Sequence, residues 1–209
     1  MESNPYLDAV VDMLGEPAGD PVPAGLWSEM ERELGFELPA DYKAVIEGYA
    51  PVRLNEHLYL HHPASEVWNL ARWMRETVQA WSEIDWDVDE LEEDPRTILG
   101  VGEIRFGVRE GLTPLLVSDR GETVFLSYRV RDGYSLIFVE NGDGEFYGYS
   151  MSFAEWLCRY LSGEDVNGPN SAIFYPGPVK FTSLPMDPGE SEVVRFGPER
   201  TPGGEPYGQ

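Results

Sequence analysis

The chain has 209 residues, 42% hydrophobic and 12% aromatic, enough to bury a core without covalent staples, and its single cysteine, Cys158, excludes an internal disulfide framework. Its 38 acids against 15 Lys plus Arg give a net charge of −23. Such a field repels nucleic acid and anionic membranes and attracts cationic partners. A lone thiol suits a reducing compartment. The N-terminal MESNPYLDAVVDML carries acids where a secretory leader carries positive charge, and no apolar run is long enough to span a bilayer. The expectation is a soluble cytoplasmic protein that acts without nucleic acid or membrane.

In chain order, Leu7, Val10, Val11 and Leu14 fall at helical spacing, and the Pro/Gly-rich PAGDPVPAG follows. Leu26–Gly35 is a second helix, with Gly35 as its stop. FELPADYKAVIEGYA starts a third. Pro39 and Asp41 lie in its first turn, and Tyr42, Val45, Ile46 and Tyr49 form its stripe. His57–His61 alternates as a strand. Ser65–Trp81 predicts a longer helix lined by Val67, Leu70, Ala71, Met74, Val78 and Trp81. Trp68 and Trp73 lie off that stripe, so either they face a partner or the helix is sandwiched on two sides.

From Thr97 the period becomes two. Ile98–Val101, Ile104–Val108, Pro114–Ser118, Thr123–Val130 and Tyr134–Val139 read as strands. The pairs Arg120-Gly121, Asp132-Gly133 and Asn141-Gly142 between them predict hairpins, hence an antiparallel meander. SFAEWLCRYLSG closes as a helix with Ser152 and Glu155 placed for a capping box. Residues 166–209 hold eight of the 17 prolines. Ile173–Leu184 is apolar enough to pack as an extended arm, and GPERTPGGEPYGQ has a disordered composition.

The segment ERELGFELPADYKAVIEGY, with Glu31, Leu34, Gly35, Leu38, Pro39, Asp41 and Tyr42, resembles the signature of the SMI1/KNR4 (SUKH) family. The order of the rest, a meander and then a helix with Glu155, Trp156 and Leu157, is similar too. The resemblance covers about residues 26–163. It implies an α+β fold with an antiparallel-rich central sheet flanked by helices. It also implies the role of bacterial immunity proteins, which block polymorphic toxins by direct binding, and it brings no catalytic set and no cofactor. The organisation expected is an N-terminal helix and loop (1–25), a SMI1/KNR4-like domain (26–165) and a Pro/Gly-rich C-terminal arm (166–209). An acidic insert and the long tail depart from a minimal family member.

The partner-binding candidate is the run EIDWDVDELEED, with eight acids and no base: Glu83, Asp85, Asp87, Asp89, Glu90, Glu92, Glu93 and Asp94, with Trp86 as an aromatic anchor. The alternative is a solvated loop whose Trp86 packs on the core. Asp85, Asp87 and Asp89 match the start of a calcium loop, but Glu90 and Arg96 stand where it needs Gly and Glu, so no metal is assigned. His57 and His61 share a strand face, too few for a structural zinc site, and no nucleophile motif accompanies them. Cys158 reads as structural. The expected partner is a cognate basic toxin. A nuclease fits, because an enzyme that grips phosphates presents positive charge. Two alternatives stay open: a regulatory interaction module working through its tail, and a hydrolase, which requires two acids converging in a pocket.

Overall fold

The computed structural model describes residues 4–86, 95–128, 135–173 and 177–199. Helix α1 (Pro5–Leu14) is capped by the Asn4 side chain, which accepts the N–H groups of Tyr6 and Leu7. Helix α2 (Leu26–Leu34) stops at Gly35, whose φ of 77° is the left-handed cap conformation. Helix α3 is Ala40–Tyr49, so Pro39 stands one residue ahead of the first turn instead of inside it. Its carbonyl accepts the N–H of Lys43.

Eight strands form one antiparallel sheet: β1 (Val52–Leu54), β2 (Leu58–Leu60), β3 (Thr113–Ser118), β4 (Thr123–Tyr128), β5 (Ser135–Glu140), β6 (Phe146–Tyr149), β7 (Lys180–Ser183) and β8 (Val193–Phe196). Their order is β6-β5-β4-β3-β2-β1-β7-β8. The α+β class, with an antiparallel sheet flanked by helices, is therefore as the sequence implies. The turns at Gly121 and Gly142, with φ of 87° and 89°, close the two described hairpins of the meander. Asp132-Gly133 lies outside the described residues.

Alternation divides the sheet's side chains between two layers. Val52, Leu54, Leu58, Leu60, Val124, Leu126, Ile137 and Val139 join the main core with α3 and α6 (Phe153–Ser162). Tyr42 and Phe153 meet edge to face there, with ring centroids 4.9 Å apart. Phe125, Phe138 and Phe146 form a second, smaller core with Leu99, Phe106 and Leu112. Helix α4 (Leu70–Ser82), which packs on β3, adds Val78 and Trp81 to that cluster, and α5 (Pro95–Leu99) adds Ile98. Strand β3 carries Pro114 in mid-sheet. This proline stands at a bulge between Pro114 and Leu116, and β2 pairs with β3 only at Val117 and Ser118, so the ladder tolerates the missing donor.

Several expected elements come out differently. Ile98–Val101 is not a strand: α5 occupies its start, and Gly100 turns left-handed at φ 62°. Ile104–Val108 makes only one bridge, Phe106 to Leu112, because Gly107 at φ 67° breaks the extension and Phe106 is drawn into the phenylalanine cluster. The helix expected from Ser65 starts at Leu70. Asn69 caps it by accepting the N–H of Arg72, and Ser65 accepts the N–H of Trp68, which holds residues 65–68 in a turn of their own. The arm is partly sheet: β7 pairs with β1 and β8 with β7, so residues 180–196 continue the sheet of residues 52–149. The C-terminal residues 200–209 lie outside the described residues.

Candidate functional site

The acidic run leaves the C-terminus of α4. Glu83 is the cap residue and accepts the Gln79 side-chain N–H at 3.1 Å, while Ile84 and Asp85 are exposed. The chain then turns Trp86 back onto the second core. Its ring is parallel to that of Trp81 at 5.9 Å and meets Phe146 at 5.7 Å. Arg96, from α5, donates to the Trp86 carbonyl at 3.3 Å. Trp86 is therefore fastened to the aromatic cluster and, through its carbonyl, to Arg96. The phenylalanines of β4, β5 and β6 need cover, and Trp86 supplies part of it. Of the candidates, Glu83, Asp85 and Trp86 are placed by the structure. Asp87, Asp89, Glu90, Glu92, Glu93 and Asp94 lie outside the described residues.

Along the same helix runs an apolar groove of about 320 Å3 between α2 and α4, lined by Met30, Leu34, Ala71, Met74, Val78 and Gly107. Arg75 and Glu33 bridge it at 3.1 Å. Gly107 is needed at its floor: a Cβ there would press on Val78 at 3.0 Å, on a backbone already at φ 67°.

The histidines are used by the fold. His61 stacks on Trp73, with centroids 4.7 Å apart and planes at 13°, and also meets Trp68. Burial, and secondarily the Arg72 charge, push it down to about 4. His62 is fully buried. Its Nδ1 accepts the N–H of Ala64, so Nε2 carries the proton and donates to the Asp20 carbonyl at 3.1 Å. His57 pairs with Asp119 at 2.6 Å. Trp68 and Trp73 are both half-buried, and Trp68 also stacks on Tyr59, so this segment is sandwiched. Among the described residues, no group of three or more His, Cys, Asp or Glu is arranged to hold a metal ion. Cys158 is buried on the inner side of α6.

Two acids are buried among the described residues, Glu122 and Glu140. Glu140 braces the β5–β6 turn, accepting the N–H groups of Gly142 at 2.9 Å and Gly144 at 2.7 Å. Burial holds its carboxyl above the usual range. Neither acid lines the α2–α4 groove.

A second, polar hollow opens at the far end of the sheet, lined by Arg53, Glu56, His57, Tyr59, Lys180 and Phe196. Lys180 pairs with Glu56, and Arg53 with Glu192. Beside it, β8 exposes Val193, Val194 and Phe196 at 60%, 53% and 63%. Sequence reasoning passed these over. The alternation in EVVRFG was the available sign, masked by the surrounding proline and glycine.

No helix of the described residues is long and apolar enough to cross a membrane. No curated protein and no solved structure matches the chain. The family described as SMI1-KNR4 cell-wall (SUKH_6) matches residues 24–157, more than half of the chain. That span contains α2, α3, the meander and the start of α6, with the motif residues in defined roles: Glu31 accepts the N–H of Leu38 and pairs with Lys43, Gly35 stops α2, and Tyr42 is fully buried. The chain belongs to the SMI1/KNR4 (SUKH) family.

Proposed function

We propose that this chain is a non-catalytic, immunity-type binding protein that captures a cationic protein toxin through its acidic surface and neutralises it stoichiometrically. The observation that carries the reading is the charge: −23 overall, with eight acids and no base in residues 83–94. A field of that sign raises the capture rate of a basic partner. Family membership supports a binding role. So does the burial of His61 against Trp73 and of His62 on the Asp20 carbonyl, which commits two of the three histidines to the fold.

Helix α4 unites the features. It presents the apolar groove along one flank and launches the acidic run at its C-terminus, so an apolar contact can follow electrostatic capture. A nuclease is the toxin class this charge suits best, since a phosphate-gripping surface is itself basic and the acids would mimic the polyanion.

The test is co-expression. A basic protein retained from the source lysate at low salt and released by salt is expressed with and without this chain. Toxicity that the chain relieves at a one-to-one ratio supports the reading. Toxicity that persists, or a spread of weakly held proteins and no toxic one, defeats it.

A further inference from the structure

The sheet ends at β8, and no described strand pairs with its outer edge. Two observations make this edge a template. The first is backbone direction. Gly197 N–H bonds to the Val179 carbonyl at 2.8 Å, and Lys180 is paired with Asn55 on the β1 side. In an antiparallel ladder the bonded pairs alternate. With Lys180 opposite Phe196 and Thr182 opposite Val194, the N–H and C=O groups of Val194 and Phe196 therefore point away from β7. The second is the side chains. Val194 and Phe196 share one face and both are more than half exposed, as is Val193 on the other.

Proteins blunt open edges with lysine, proline or an inward charge. Within β8 the one charged residue is Arg195, an inward charge over the Phe181 ring at 4.7 Å, and it lies on the face opposite Val194 and Phe196. The strand itself holds no proline; Pro188 precedes it and Pro198 follows it. Among the described residues nothing pairs with the edge where its backbone groups point outward.

We propose that the outer edge of β8 takes up a strand of the cationic protein partner by backbone pairing to Val194 and Phe196. This rests on the reading that the chain binds a cationic protein. The added strand lays alternate apolar residues beside Val194 and Phe196, as in other strand-addition complexes. Its flanking bases meet the exposed Glu199 after β8 and, before it, Glu190 and Glu192, whose carboxylates also hold the Met186 and Asp187 N–H groups and Arg53. Charge also selects the partner over a second copy. Two copies would bring a net −23 each, with those same glutamates along one seam.

The probe is the peptide acetyl-KVTVKVTVK-amide, titrated into the isotope-labelled full chain and followed by amide chemical shifts. The expected result is a response centred on residues 193–197, with the Val194 amide proton moving as a new hydrogen bond forms. Methylating alternate backbone nitrogens of the peptide weakens binding by about tenfold or more. Val194→Pro does the same, since it removes an outward N–H that β7 does not use. The methylated peptide tests the idea on the unaltered protein, whatever the variant does to folding.

Equal binding of the methylated peptide, no response at β8, or a response confined to residues 83–94 overturns edge pairing and leaves cationic capture standing. Self-association of the chain alone that Val194→Pro abolishes makes a second copy the occupant and also overturns it. Equal binding of acetyl-EVTVEVTVE-amide at β8 overturns the cationic partner and the parent reading with it.

Discussion

The phenol of Tyr42 donates to the main-chain carbonyl of Leu115 at 2.9 Å, joining α3 to the residue that the β3 bulge throws out of register. The bulge takes Leu115 out of the β3–β4 ladder, and a buried carbonyl without a partner is costly. Burial pushes the Tyr42 hydroxyl far above its ordinary range, so it stays a neutral donor at any working pH. Tyr42→Phe keeps the ring contacts and deletes this bond. It is expected to lower the unfolding free energy by about 1–3 kcal/mol in urea denaturation, with an unchanged slope.

Its neighbour Asp41 ties the same helix to α6. One carboxylate oxygen accepts the Tyr42 N–H at 3.0 Å, and the other accepts the Ala154 N–H at 2.8 Å, across 113 positions. Ser152 also caps α6, accepting the Glu155 N–H, while Glu155 turns to Arg159 instead of completing the capping box. Asp41→Ala is expected to cost about 1–2 kcal/mol. Ser152→Ala should cost less, because Asp41 still holds the next free N–H. Equal losses by thermal melting would show that Asp41 is not the principal cap.

The motif around Asp41 and Tyr42 was legible because helix stops, caps and stripes are local. Gly35, the α3 stripe and the capped α6 all stand where spacing put them. Strands are decided by partners. Ile104–Val108 has strand composition but makes only the single Phe106–Leu112 bridge among the described residues, whereas VVRF in a proline-rich tail becomes β8 because β7 lies alongside. Trp86 shows the same limit at the candidate site. Nothing in its flanking acids reveals that Trp81, Phe106 and Phe146 stand ready to receive its ring.

His61 sets an acid sensitivity. Its folded affinity for a proton, about 4, lies below its ordinary 6.5. Between those values the unfolded chain binds the proton and the folded chain does not, so stability rises with pH through that window and falls on acidification. The cost is on the order of 3 kcal/mol and is complete below about pH 4. His61→Phe keeps an aromatic plane against Trp73 and removes this dependence. The expected outcome is that wild type loses more stability than the variant between about pH 7.5 and pH 5. Parallel profiles would mean that His61 is not held neutral.

Glu140 has the opposite sign. Its carboxyl is raised by burial, so its folding contribution is present at low pH and is lost as pH rises through its folded value. Glu140→Gln retains an oxygen for the Gly142 and Gly144 N–H groups and removes the buried charge. The variant should be as stable as wild type or more so at neutral pH, by up to about 1 kcal/mol, and should lose that advantage in acid. Destabilisation at neutral pH would show that the turn needs the full carboxylate.

The most direct test of the account measures association of the captured basic partner with wild type and with the triple variant Asp85→Asn, Asp87→Asn, Asp89→Asn across a salt series. The account predicts slower association and at least about tenfold weaker binding of the variant at low salt, a gap that closes as salt screens the charges. Identical rates and affinities at low salt would contradict the claim that the acidic run captures the partner.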